Sequence, residues 1–132
     1  SVTPTQVEQL GGLAAGVCAE AFDLSIDRLG FWPQRGILWA GCSQPPEPLR
    51  RLAETLVAAL GAAGFALDHR AASALIPHIT LARRARCASL PRLETPIRWR
   101  VSEFALVETH LNPSAASYKT LASFPLNEVN AG

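Results

Sequence analysis

The chain has 132 residues, 48% of them hydrophobic and 17% charged, which is ordinary composition for one globular domain with its own core. Its net charge of +1 gives no bulk affinity for nucleic acid, and no apolar run is long enough to span a bilayer. Three cysteines, Cys18, Cys42 and Cys87, fit neither a CxxC pair nor a zinc spacing, so a reducing cytoplasm is the default reading.

Thr3-Pro4-Thr5-Gln6 opens a helix: Thr3 caps, Pro4 takes the first position and Gln6 completes a capping box. Val7, Leu10, Ala14 and Val17 recur at helical spacing, so the helix is expected to run to about Glu20. Phe22, Leu24 and Ile26 then alternate with polar residues, as in a half-buried strand. The phase shifts to Leu29 and Phe31, which places a bulge or strand end near Asp27-Arg28. After a turn over Trp32 to Gly36, Ile37 to Cys42 is a second, apolar strand, expected to pair with the first as a hairpin. Cys18 and Cys42 have apolar neighbours and are expected in the core, as are Trp39 and Trp99.

Leu49, Leu52, Ala53, Leu56, Val57 and Leu60 form the clearest amphipathic helix, with Gly64 as its C-terminal cap. A loop over Asp68 to Ser73 leads to Ile76-Pro77-His78-Ile79-Thr80-Leu81-Ala82-Arg83. This stretch alternates as a strand, with Ile79 and Leu81 on one face and His78, Thr80 and Ala82 on the other. An imidazole and a hydroxyl then stand about 7 Å apart along the backbone, followed by an arginine. A proton carrier, a neutral donor and a fixed cation suit a phosphoryl group. Strict alternation puts Arg84 rather than Arg83 on the His78 face. Six arginines against one glutamate give residues 83–100 a local charge of +5. Ile97 to Thr109 is expected as one long strand with a phase change near Ser102-Glu103. Tyr118 to Leu126 is the last strand, with Tyr118, Thr120 and Ala122 sharing a face, and Asn127 to Gly132 is expected to fray. Helices alternating with hairpin-like strands indicate α+β. His69, His78 and Cys87 match no metal-ligand spacing, so neither a metal nor a cofactor is expected.

Pro77-His78-Ile79-Thr80-Leu81-Ala82-Arg83 resembles the second His-x-Thr-x motif of the two-histidine phosphoesterases, and within them the RNA 2′,3′-cyclic phosphodiesterases, or 2′-5′ RNA ligases. Arg35 to Trp39, Phe104 to Glu108, Tyr118 and Phe124-Pro125-Leu126 resemble further strands of that family in order and spacing. The resemblance implies a single domain over 1–132 of two pseudo-symmetric lobes, small antiparallel sheets with outer helices around a central cleft. It also implies a second His-x-Thr-x motif. Neither His69-Arg70-Ala71 nor His110-Leu111-Asn112 fits it, so an N-terminal segment carrying that motif is expected ahead of Ser1. By the same resemblance His78 is the general base, Thr80 a donor to the phosphoryl oxygen, and Arg83 a phosphate contact. Tyr118 is either a packed strand tyrosine or a base-stacking residue of the cleft. The implied partners are RNA ends or small cyclic phosphates, with no membrane. Hydrolysis to a 2′-phosphomonoester, with reversible 2′-5′ ligation, is the expected activity. The competing expectation is an inactive RNA-binding or interaction domain that keeps the scaffold with one motif. Self-association through open sheet edges is expected if the chain is truncated.

Overall fold

The computed structural model describes residues 2–67, 76–111 and 116–128. Among them are two helices, α1 (Pro4–Ala15) and α2 (Glu47–Ala62), and seven strands. The strands are β1 (Phe22–Ile26), β2 (Arg28–Trp32), β3 (Ile37–Gly41), β4 (His78–Ala82), β5 (Ile97–Val101), β6 (Glu103–Leu111) and β7 (Ala116–Pro125). They pair into three small antiparallel sheets, β1–β5, β2–β3–β4 and β6–β7. The chain is α+β, as its alternation of helices and strands implies. His69 and the loop from Asp68 to Ser73 lie outside the described residues.

Local signals set both helix starts and ends. Thr3 Oγ1 accepts from Gln6 N–H at 3.2 Å, and Gln6 Oε1 accepts from Thr3 N–H at 2.9 Å, the reciprocal capping box. The helix α1 stops at Ala15, short of Glu20, because its last turn closes on Gly16. Cys18 therefore leaves the helix and is exposed, not core. At the end of α2, Gly64 takes φ +91°, donating to Gly61 O, while Phe65 N–H reaches Leu60 O at 3.0 Å. These two bonds make a Schellman cap, which needs the left-handed residue that only glycine adopts cheaply.

The expected hairpin across the Trp32–Gly36 turn forms with Ile37–Gly41, but Phe22–Ile26 is not part of it. The phase shift at Asp27 is a strand end, and it divides the segment between two sheets. Downstream of it, β2 makes the hairpin with β3. Upstream, β1 pairs with β5, from Phe22↔Val101 to Ile26↔Ile97. Ser102 likewise breaks the expected long strand into β5 and β6.

The core sits between the β1 inner face and α2. Phe22, Leu24, Ile26, Ala40, Cys42, Leu52 and Leu126 are buried there, with Leu49 and Leu56 packed against them. Each fully buried large aliphatic side chain contributes about 1.5–3 kcal/mol. Trp39 is buried, but on the other face of the β2–β3–β4 sheet, and Trp99 is 49% exposed because no described strand lies beyond β5. The C-terminal strand is tied down rather than frayed at Asn127. Its carbonyl accepts from Ala21 N–H at 2.9 Å, and its own N–H donates to Ala19 O at 2.8 Å.

Two strands carry one residue more than their partners. In β4, Thr80 faces Trp39 and Ala82 faces Leu38, which leaves Leu81 unpaired. In β7, Thr120 faces Val107 and Ala122 faces Leu106, which leaves Leu121 unpaired. Each extra residue is a β-bulge and reverses the side-chain alternation beyond it. Ala82 consequently leaves the His78–Thr80 face, and Ala122 leaves the Tyr118–Thr120 face, contrary to simple alternation. Ala122 instead shares a face with Phe124, whose ring stacks on Phe104 at 5.2 Å between centroids.

Candidate active site

His78 and Thr80 stand on one face of β4, opposite Gly41 and Trp39 of β3. The imidazole is exposed, and Thr80 is half-buried beside it. His78 Nδ1 lies 2.8 Å from Ile76 O. A carbonyl oxygen only accepts, so Nδ1 carries the hydrogen and the neutral ring keeps its free lone pair on Nε2. The backbone thus selects the tautomer that a general base requires.

Two indoles fix the ring from the side. Trp32 meets the His78 ring edge-on at 4.8 Å, and Trp39 does so at 6.3 Å. The indoles themselves pack at 5.3 Å with a 37° tilt. Trp39 lies across its sheet because the neighbouring positions have no side chains. A Cβ on Gly30 would fall 2.0 Å from Trp39 Cζ2, and one on Gly41 would fall 2.7 Å from Trp39 Cζ3. This aromatic support was not read from the sequence. The available signal was a pair of glycines either side of Trp39 once β2 and β3 are aligned.

The Leu81 bulge reverses the alternation that spacing alone gives, so Arg83, the first residue after β4, is in phase with His78 and Thr80. Arg83 Nη2 donates to Tyr118 Oη at 3.2 Å, so the structure brings together two of the expected substrate contacts from different sheets. Tyr118 is 61% exposed on its strand. Arg84 instead turns the chain with φ +53°, against Gly36 at φ +61°. Ala85 N–H donates to Gly36 O at 2.8 Å, and a Cβ on Gly36 would lie 3.2 Å from Arg84 Cα. The close approach and the positive φ both require glycine there.

At the opposite end of the same sheet, Asp27 accepts from Ser43 N–H at 2.8 Å and from the Ser43 hydroxyl. The hydroxyl first and the backbone N–H second hold its carboxyl below the usual carboxylate range. Arg28 follows it, with its guanidinium 5.2 Å from the Trp39 ring centroid. His110 is exposed and pairs with Glu108. Among the described residues no group of three His, Cys, Asp or Glu is placed to hold a metal ion, and no helix is long and apolar enough to cross a membrane.

This motif strand, set in small antiparallel sheets, is the arrangement of a known family. The sequence model of the 2′-5′ RNA ligase superfamily matches residues 2–113, and the chain belongs to that superfamily. Its relatives include the RNA 2′,3′-cyclic phosphodiesterase of Escherichia coli (strain K12), 27% identical over 128 residues, a match covering 96% of this chain and 71% of the relative. The crystal structure of E. coli LigT complexed with 3′-AMP superposes with a TM-score of 0.80 at 28% identity, over 95% of this chain and 71% of that one. A crystal structure described as a phosphoesterase gives 0.81 at 28% identity, again over 95% and 71%.

Proposed function

We propose that this protein opens RNA 2′,3′-cyclic phosphates to 2′-phosphomonoesters, with His78 as the base that activates water. The observation that carries the reading is the exposed imidazole whose Nδ1 is committed to Ile76 O, leaving Nε2 free beside Thr80. Water attacks phosphorus as Nε2 takes its proton; the P–O bond to the ribose 3′ oxygen breaks, and that oxygen must receive a proton. In the resemblance the acid is a second His-x-Thr-x histidine. Thr80 donates to a phosphoryl oxygen, and Arg83 offsets the charge that grows on the phosphoryl group. The hydrogen bond from Arg83 to Tyr118 supports a shared substrate-facing role, with the exposed phenol ring available to stack on a base. With the 5′-hydroxyl of a second strand in place of water, the same attack on phosphorus breaks the bond to the 3′ oxygen and leaves a 2′-5′ diester, which is ligation and is reversible. A 3′-AMP complex of a relative supports a nucleotide end as ligand. Free thiols at Cys18, Cys42 and Cys87 support a reducing, cytoplasmic setting.

The test is turnover of a cyclic-phosphate oligonucleotide by the full-length encoded protein. His78→Ala should lower kcat by about 100- to 10,000-fold, the usual contribution of a positioned acid or base. Unchanged turnover removes His78 from the mechanism. Retained oligonucleotide binding with no turnover in the unmutated protein selects the inactive RNA-binding domain instead. Edges of the two-stranded sheets that no strand covers among the described residues also favour self-association of the 132-residue chain. Light scattering that gives a monomer at millimolar concentration would refute that.

A further inference from the structure

We propose that Arg28 holds a second phosphate of the substrate, so that this protein prefers an oligonucleotide end to a mononucleotide. The inference deepens the hydrolase reading and rests on it. Arg28 pairs with Gly41 on β3, and Gly41 pairs with His78 on β4. Directly opposed residues share a face, so Arg28 and His78 lie in one row across the sheet. Two strand spacings separate their backbones, about 10 Å.

The middle position of that row has no side chain. Gly41 is held to hydrogen by Trp39 and by Pro77 O, which a Cβ would approach to 2.8 Å. The indole of Trp39 fills the space instead, and both functional groups rest on it. The Arg28 guanidinium stands 5.2 Å from its centroid and the His78 ring 6.3 Å. A guanidinium over an indole face is held by a cation–π attraction and is already oriented, so binding an anion costs it little further freedom.

Its charge is also available. Arg50, Arg51 and Arg100 are spent in ion pairs with Glu47, Asp23 and Glu128, whereas no ion pair joins Arg28 among the described residues. The adjacent carboxylate of Asp27 feels the Arg28 charge but takes its hydrogen bonds from Ser43. With the scissile phosphorus at His78, an oriented cation two strands away along the same row meets the neighbouring phosphodiester of a chain. A nucleoside cyclic phosphate has no such group.

The experiment compares kcat/KM of the full-length protein on a trinucleotide ending in a 2′,3′-cyclic phosphate and on the matching nucleoside 2′,3′-cyclic phosphate. The unmutated protein should favour the trinucleotide. Arg28→Ala should cut that preference about tenfold, through KM, and Arg28→Lys should restore only part of it, since an ammonium does not stack on the indole. An equal preference in Arg28→Ala overturns the proposal. If neither substrate turns over, the hydrolase reading fails on its own. Fluorescence anisotropy with a trinucleotide 3′-phosphate then decides the Arg28 role: about tenfold weaker binding by Arg28→Ala upholds it, and equal binding overturns it.

Discussion

Asp27 shows how one hydroxyl sets a local charge at the edge of the site. Ser43 lowers its carboxyl below the ordinary value, so the interaction stabilises the fold above that value, about pH 4. The contribution is lost as pH falls through the depressed folded value. Ser43→Ala should therefore melt at a lower temperature than the parent at pH 7, and the gap should narrow as pH falls below the ordinary carboxylate value; thermal melts from neutral into acid check it. His78 and Thr80 were legible as residues, because a motif on an alternating strand needs only local sequence. The choice between Arg83 and Arg84 was not. It depends on how many residues the partner strand contributes, and the Leu81 bulge shifts the phase toward Arg83. Trp99 was misread as core because an aromatic on a strand says nothing of whether another strand lies beside it.

Helix ends were legible for the same local reason: Thr3, Pro4, Gln6 and Gly64 each act on backbone groups within a few residues. Strand partners were not. The segment Phe22–Ile26 has its partner at Ile97–Val101, and no periodicity in either stretch names the other. Glycine positions give the sharpest element-scale test. Gly30→Ala drives a methyl into Trp39 and should cost about 1–3 kcal/mol, with a loss of the Trp39 environment in near-ultraviolet dichroism. Gly12→Ala sits in α1 with open space around it and should gain about 0.5–1 kcal/mol. Urea denaturation of both variants should move the midpoint in opposite directions.

Across the whole molecule, the charge of residues 83–100 does not act as one patch. Arg100 is paired with Asp23 and Glu128, and Arg98 lies opposite Ser25 on the same outer face of the β1–β5 sheet. Arg28, from another strand, lies on the motif face with His78, and Arg83 follows the motif strand and reaches Tyr118. Single-stranded oligonucleotide affinity should then fall with salt at a log–log slope of roughly −1.4, two phosphate contacts, rather than the roughly −4 of six. Anisotropy titrations from 50 to 200 mM salt, a range wide enough to fix such a slope, measure it. The +5 was countable in the sequence, but its dispersal depends on which strand each arginine joins. The same Thr-Leu-Ala run occurs in β4 and in β7, and in both the leucine is the residue without a partner. Cancelling that surplus is a change made on a different strand. One residue inserted between Leu38 and Trp39 would give Leu81 a mate and swing Arg84, in place of Arg83, toward the imidazole. Deleting Leu81 outright would leave Arg83 where it is. Which arginine comes into phase with His78 is thus written in the length of a strand that carries neither.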